Sequence, residues 1–212
     1  LISSAACKKD DHQDGEKNDS EITAHADDET FFTAETDAVF YEANLLLEAS
    51  AVSPRHQDNP ICDATVAVDP LSNPQTITVT YNGTGCLGDR TRKGVIVLSA
   101  PQGTQWKNAG ASVTIAFRDF KITRNSDNKS VTINGEQTYT NTSGGLLAKL
   151  ATLESVTHTV SADGLSVTFD NGSKRSWQVA QQRLFTYDNG IVLAVSGTHT
   201  DNNDSHIAIW GT

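Results

Sequence analysis

The 212-residue chain reads as mainly β: an antiparallel meander forming one large curved sheet or partial barrel, with one N-terminal α-helix packed on it. A β-sandwich is the alternative. Three observations predict this. Apolar residues recur at helical spacing in one early segment, the period changes to two from Ile61 onward, and Asn-Gly or Asp-Gly pairs punctuate the rest of the chain.

The helix is expected over residues 32–49, where Phe32, Val39, Phe40, Ala43, Leu46 and Leu47 fall on one face. Glu35, Asp37, Glu42 and Glu48 lie mainly on the other side. Asp28 or Thr30 can cap its start, and Pro54 lies beyond its end. The polar face is acidic, whereas helices that lie on membranes carry Lys and Arg there, so core packing is the reading.

Strands occupy the remainder. Val66 and Val68, then Ile77, Val79 and Tyr81, alternate with Thr and Ala, and Val113, Ile115 and Phe117 do the same. Val131 and Ile133, then Leu165, Val167 and Phe169, continue the pattern, so these are half-buried strands with Thr-rich solvent faces. Asn82-Gly83, Asn134-Gly135, Asp163-Gly164, Asn171-Gly172 and Asn189-Gly190 tolerate the positive φ of tight hairpins and are expected to join neighbours directly. Leu146, Leu147, Leu150 and Leu153 fit a helical spacing, but Thr-rich flanks favour a strand there. Ile207-Ala208-Ile209-Trp210 reads as a last strand, either paired in the sheet or cut short.

The charge is unevenly placed. Residues 1–37 hold 11 acidic and 3 basic side chains, and the remainder holds 15 and 13, so the leader carries a net of −8 and the body −2. Low hydropathy with high like charge does not offset ordering entropy, so residues 8–28 are expected to be a disordered tether. The chain thus divides into residues 1–6 as a signal-peptide remnant, residues 7–28 as lipidated Cys and tether, and residues 29–212 as a single helix-plus-β domain.

Ser4-Ala5-Ala6-Cys7, after an apolar start and before Lys8-Lys9-Asp10-Asp11, resembles the lipobox of bacterial lipoprotein signal peptides. Ser4 departs from the Leu commonest at its position. The resemblance implies that Cys7 carries lipid and that the partner is a membrane reached through that anchor. Lys9-Asp10-Asp11 resembles the signal that directs Bacteroidota lipoproteins to the outer surface, so display at the cell surface is favoured over the periplasm. The stretch Gly85-Cys86-Leu87-Gly88-Asp89-Arg90-Thr91-Arg92-Lys93-Gly94, with Cys62-Asp63-Ala64-Thr65-Val66 before it, resembles a group of Bacteroidota lipoproteins. Asn134-Gly135-Glu136-Gln137-Thr138 and Asp170-Asn171-Gly172-Ser173-Lys174-Arg175-Ser176-Trp177 extend the likeness. That group implies architecture and location and brings no activity.

With Cys7 lipidated, Cys62 and Cys86 remain, and an exported protein with two cysteines commonly joins them. The alternative, a reactive thiol pair, lacks Cys-x-x-Cys spacing and an adjacent His. Arg90, Arg92 and Lys93 form the one dense basic cluster, which either binds an anionic polymer or sugar acid or is a solvated face paired with carboxylates. Trp106, in the polar loop Gln102-Gly103-Thr104-Gln105-Trp106-Lys107-Asn108, is the best candidate for a sugar-stacking platform; Trp177 and Trp210 read as core. His199, Asp201, Asp204 and His206 crowd a hairpin and are weak metal candidates, since Asp and Asn are ordinary turn residues. No Gly-x-Ser-x-Gly elbow or His-Glu-x-x-His pattern occurs, so neither catalysis nor a cofactor is expected. Nucleic acid is excluded as a partner because the body is not basic. The reading is a non-catalytic structural or ligand-binding lipoprotein of the cell envelope, with a glycan or another envelope protein as partner. The alternative is a carbohydrate-binding accessory lipoprotein of a glycan-uptake system.

Overall fold

The computed structural model describes the backbone of residues 14–52, 61–201 and 206–211, and side chains within residues 27–50, except Glu29, and 61–200. Helix α1 spans Asp14–Val52. It starts well before the apolar periodicity, because neither Gly nor Pro occurs between Gly15 and Pro54 to stop it. Residues 14–28, where the charge pattern leads one to expect a disordered tether, are therefore helical in backbone, and residues 8–13 lie outside the described residues. Compactness divides the chain into Leu1–Ala38 and Val39–Thr212, so residues 39–52 of the helix belong with the sheet. There Val39, Phe40, Ala43, Leu46 and Leu47 are buried, as the helical spacing predicts.

The strands are β1 (Ala64–Asp69), β2 (Gln75–Thr84), β3 (Arg90–Ala100), β4 (Ala111–Arg124), β5 (Ser130–Asn141), β6 (Ser155–Phe169), β7 (Lys174–Tyr187), β8 (Ile191–Asp201) and β9 (His206–Gly211). They form one antiparallel sheet in sequence order, β1 to β9, so every neighbour is the next strand along the chain. Among the described residues β1 and β9 are its two edges, and the sheet does not close into a barrel. Every strand from β2 to β7 turns one face inward. Ile77, Val79 and Tyr81, Ile96 and Leu98, Val113 and Ile115, Val131 and Ile133, Leu165 and Val167, and Trp177 and Val179 are all buried.

Two of the five expected turns are hairpins: Asn171-Gly172 joins β6 to β7, and Asn189-Gly190 joins β7 to β8. The other three lie inside strands, and two of those sit on a line of irregular register. The register shifts between Lys93 and Val95, between Phe117 and Phe120, between Asn134 and Thr138, and between Asp163 and Leu165. These positions face one another across four successive strand pairs and form a continuous seam of bulges, and bulges bend strands and increase twist. Gly94 shows why glycine is required there. Its φ is +109°, and a Cβ would stand 2.3 Å from the carbonyl oxygen of Asp119. Asp119, itself at φ 47°, donates its backbone N–H to Asn134 Oδ1 at 2.8 Å.

Residues 146–153 are a correction to the strand expectation. Leu147–Lys149 form a 3-10 turn and Leu150–Leu153 a short helix α2. Glu48 of α1 supplies the reason: its carboxylate accepts the backbone N–H groups of Leu147 and Ala148, which would otherwise be orphaned at the turn's start. Leu147 and Leu150 then pack with Val156 and Phe185.

Candidate functional site

The basic cluster is divided between two environments. Arg92 is buried, 5% exposed. Its Nε and Nη2 donate to the two carboxylate oxygens of Asp63 at 2.8 and 2.6 Å, and Nη1 donates to Glu42 at 2.7 Å. Tyr81 donates its hydroxyl to the other oxygen of Glu42 at 2.7 Å, and the guanidinium lies over the Tyr81 ring at 4.6 Å. Burial opposes the charge on Arg92, but the hydrogen bonds to Asp63 and the charge of Glu42 outweigh it, so its pKa rises above the ordinary value. Burial, together with the Glu42 charge, pushes the Tyr81 hydroxyl well up. The Cys62–Cys86 disulfide holds Asp63 in place from the adjacent position, with Cα atoms 5.7 Å apart. A closed loop of this 24-residue separation contributes roughly 3 kcal/mol in the chain-entropy model. Arg92 is thus a fastener between the helix, the turn that leads into the first strand, and the third strand, and its donors are not open to a ligand. Arg90 forms an exposed ion pair with Asp89 at 2.9 Å.

Trp106 is 3% exposed, which removes its ring faces as a stacking platform. Nε1 donates to Asn44 at 2.9 Å, and Asn141 donates to the Trp106 carbonyl at 2.8 Å. The ring packs on Tyr139 and His158, with centroids 5.0 and 5.2 Å away. His158 shares a 2.6 Å hydrogen bond with the Tyr139 hydroxyl through Nδ1, and its buried Nε2 has no partner. Burial, helped by the charge of Arg183, lowers the His158 pKa to about 4, so the ring is neutral inside the protein.

Of the metal candidates, His199 is buried, 2.8 Å from Gln181 and edge-on to Trp177. Asp204 and the side chains of Asp201 and His206 lie outside the described residues, as do Cys7 and the side chain of Trp210. Among the described residues no group of three or more His, Cys, Asp or Glu is placed to hold a metal. No described helix is long and apolar enough to cross a membrane.

Burying Trp106 shapes a cavity of ≈ 390 Å³ beside it. Its apolar floor is Leu47 of α1, Ile77 of β2, Leu98 of β3, Val113 of β4 and Trp106 itself. Asp69, Gln75, Thr104 and Lys107 give it a polar rim. The loop that walls it is pinned, because Gln75 donates to the Thr104 carbonyl at 3.2 Å and Gly145 donates its N–H to the Lys107 carbonyl at 2.8 Å. Asp69 accepts the backbone N–H groups of Leu71 and Ser72, both at 3.1 Å, which lowers its pKa. Its carboxylate is a turn clamp with no proton to exchange near neutral pH. Among the described residues, Asp69 and Lys107 are the only charged side chains lining the cavity, and no described nucleophile there has a base beside it. The arrangement can bind and orient a small molecule.

Sequence reasoning missed this site. Val68, Ile77 and Val113 read only as core strand residues, and the ends of four strands meeting one loop leave no motif. The polar composition of residues 102–108 was the one available signal. No family model, no curated protein and no solved structure matches the chain.

Proposed function

We propose that this chain is a lipid-anchored, non-catalytic binding protein of the cell envelope whose ligand occupies the cavity beside Trp106. The cavity carries the proposal. At ≈ 390 Å³, with an apolar floor and few polar groups at its rim, it has the size and lining of small-molecule sites, which run from about 300 to 1,000 Å³. The ligand class is a compact molecule with an apolar body and a hydrogen-bonding end directed at Gln75, Thr104 and Lys107. The commitment of Asp69 to a turn supports binding over catalysis. The anchor rests on Ser4-Ala5-Ala6-Cys7, and surface display on Lys9-Asp10-Asp11.

The test is ligand-observed NMR with mixtures of small amphipathic molecules, run on the wild type and on Val68→Trp. Val68 is 36% exposed at the mouth, so an indole there fills the cavity without disturbing the core. Binding that disappears in the variant supports the reading; no binding to the wild type, or equal binding to both, ends it. Mass spectrometry of protein from native membranes tests the anchor separately, and an unmodified Cys7 removes it.

A further inference from the structure

The face of the sheet opposite the core carries a charge arrangement that neither the cavity nor the fold uses. Lys93 of β3 stands directly opposite Lys121 of β4. Residues opposite one another in an antiparallel pair project to the same side with Cβ atoms about 5 Å apart, and like charges so placed are destabilising. Arg118, opposite Val95, is exposed on β4 across the bulge, beyond the exposed Asp119. The register continues the row: Lys121 faces Thr132, Thr132 faces Thr168, and Thr168 faces Lys174. Four strand spacings, about 19 Å, separate Lys93 from Lys174. All four cations are exposed, and none forms an ion pair with a described residue. Asp119 lies between Lys121 and Arg118 on β4, and Asp170 follows β6 two residues beyond Thr168, while the row itself, Lys93, Lys121 and Lys174, carries only positive charge on a body whose net charge is −2.

We infer that this face binds an anionic polysaccharide, one bearing carboxylate or sulfate groups. The row spans more than a small anion covers, and a linear chain can run along it. Thr132 and Thr168 lie between the cations, with Ser166 beside them, and offer neutral hydrogen bonds to sugar hydroxyls. No aromatic side chain stands in the row to stack on a nucleic-acid base, and no apolar one to enter a bilayer. The Lys93–Lys121 repulsion persists in the free protein and is relieved when an anion bridges the two ammonium groups.

The experiment uses the full chain and affinity electrophoresis in gels holding polygalacturonate, dextran sulfate or neutral dextran, with co-sedimentation on phosphatidylglycerol vesicles as a further arm. Retardation by both anionic glycans at low salt, lost at high salt and absent with neutral dextran, is expected. Lys93→Gln and Lys121→Gln each weaken binding about tenfold. Each also raises the melting temperature by about 1 °C, and the double variant raises it no further, because removing one charge already ends the repulsion. Lys149→Gln, an exposed lysine elsewhere, changes neither quantity. No retardation by either glycan, unchanged retardation of the variants, a lowered melting temperature in both singles, or binding to vesicles but not glycans overturns the inference.

Discussion

Replacing Arg92 with Met tests whether this residue fastens the fold or serves a surface. The side chain of Asp63 is 0% exposed and that of Arg92 5%, while Glu42 retains 17%. Methionine fills much of the same volume but leaves the Asp63 carboxylate buried without its cation. Breaking a buried pair from one side costs about 3–5 kcal/mol. With a urea dependence of about 2 kcal/mol per molar, the unfolding midpoint should fall by about 2 M, with the disulfide kept oxidised throughout. An exposed arginine would instead change stability by less than about 0.5 kcal/mol. The double variant Arg92→Met/Asp63→Asn should recover at least half the loss, because most of the cost is the uncompensated charge. A midpoint shift under about 0.5 M in Arg92→Met, or a double variant no better than the single, refutes the reasoning.

The interior yields two more expected outcomes. His158 is neutral in the fold with a pKa near 4, below its ordinary 6.5, so its contribution is complete above about pH 6.5 and is lost as pH falls toward 4. The loss reaches about 3 kcal/mol and should vanish from the pH dependence of urea midpoints in His158→Asn; an equal slope in that variant would assign the acid sensitivity elsewhere. Gly94→Ala should cost at least about 1 kcal/mol more than Gly172→Ala in thermal unfolding, since both glycines have positive φ but only Gly94 meets a backbone oxygen. Equal losses would show that the close approach at the seam is unimportant.

The strand faces were legible because Ile77, Val79 and Tyr81, or Val113, Ile115 and Phe117, alternate cleanly and have buried partners on both sides. The burial of Arg92 corrects the reading of it as a binding or solvated residue, although it shares its parity with Ile96 and Leu98, which face inward. What the local sequence does not carry is the identity of remote partners. Trp106 sits in a polar loop and is buried because Asn44 and Asn141 reach it from 62 and 35 residues away. Residues 146–153 turn helical because Glu48 caps them across about a hundred residues. Asn134-Gly135 and Asp163-Gly164 carry turn chemistry but are spent on bulges, and only the neighbouring strands decide between the two uses.

The seam of bulges acts on the chain as a change of reading frame. On β4 the inward residues are odd-numbered at Val113, Ile115 and Phe117 and even-numbered at Phe120 and Ile122. On β6 they are even at Val156, His158 and Val160 and odd at Leu165, Val167 and Phe169. Deleting Gly164 would remove the extra residue and let the alternation run unbroken, but deleting Ser166 alone would turn the rest of β6 inside out, sending Val167 and Phe169 to solvent and Thr168 into the core. The distal halves of these strands can therefore gain or lose residues in pairs but not singly, which sets the step by which such a sheet can change length.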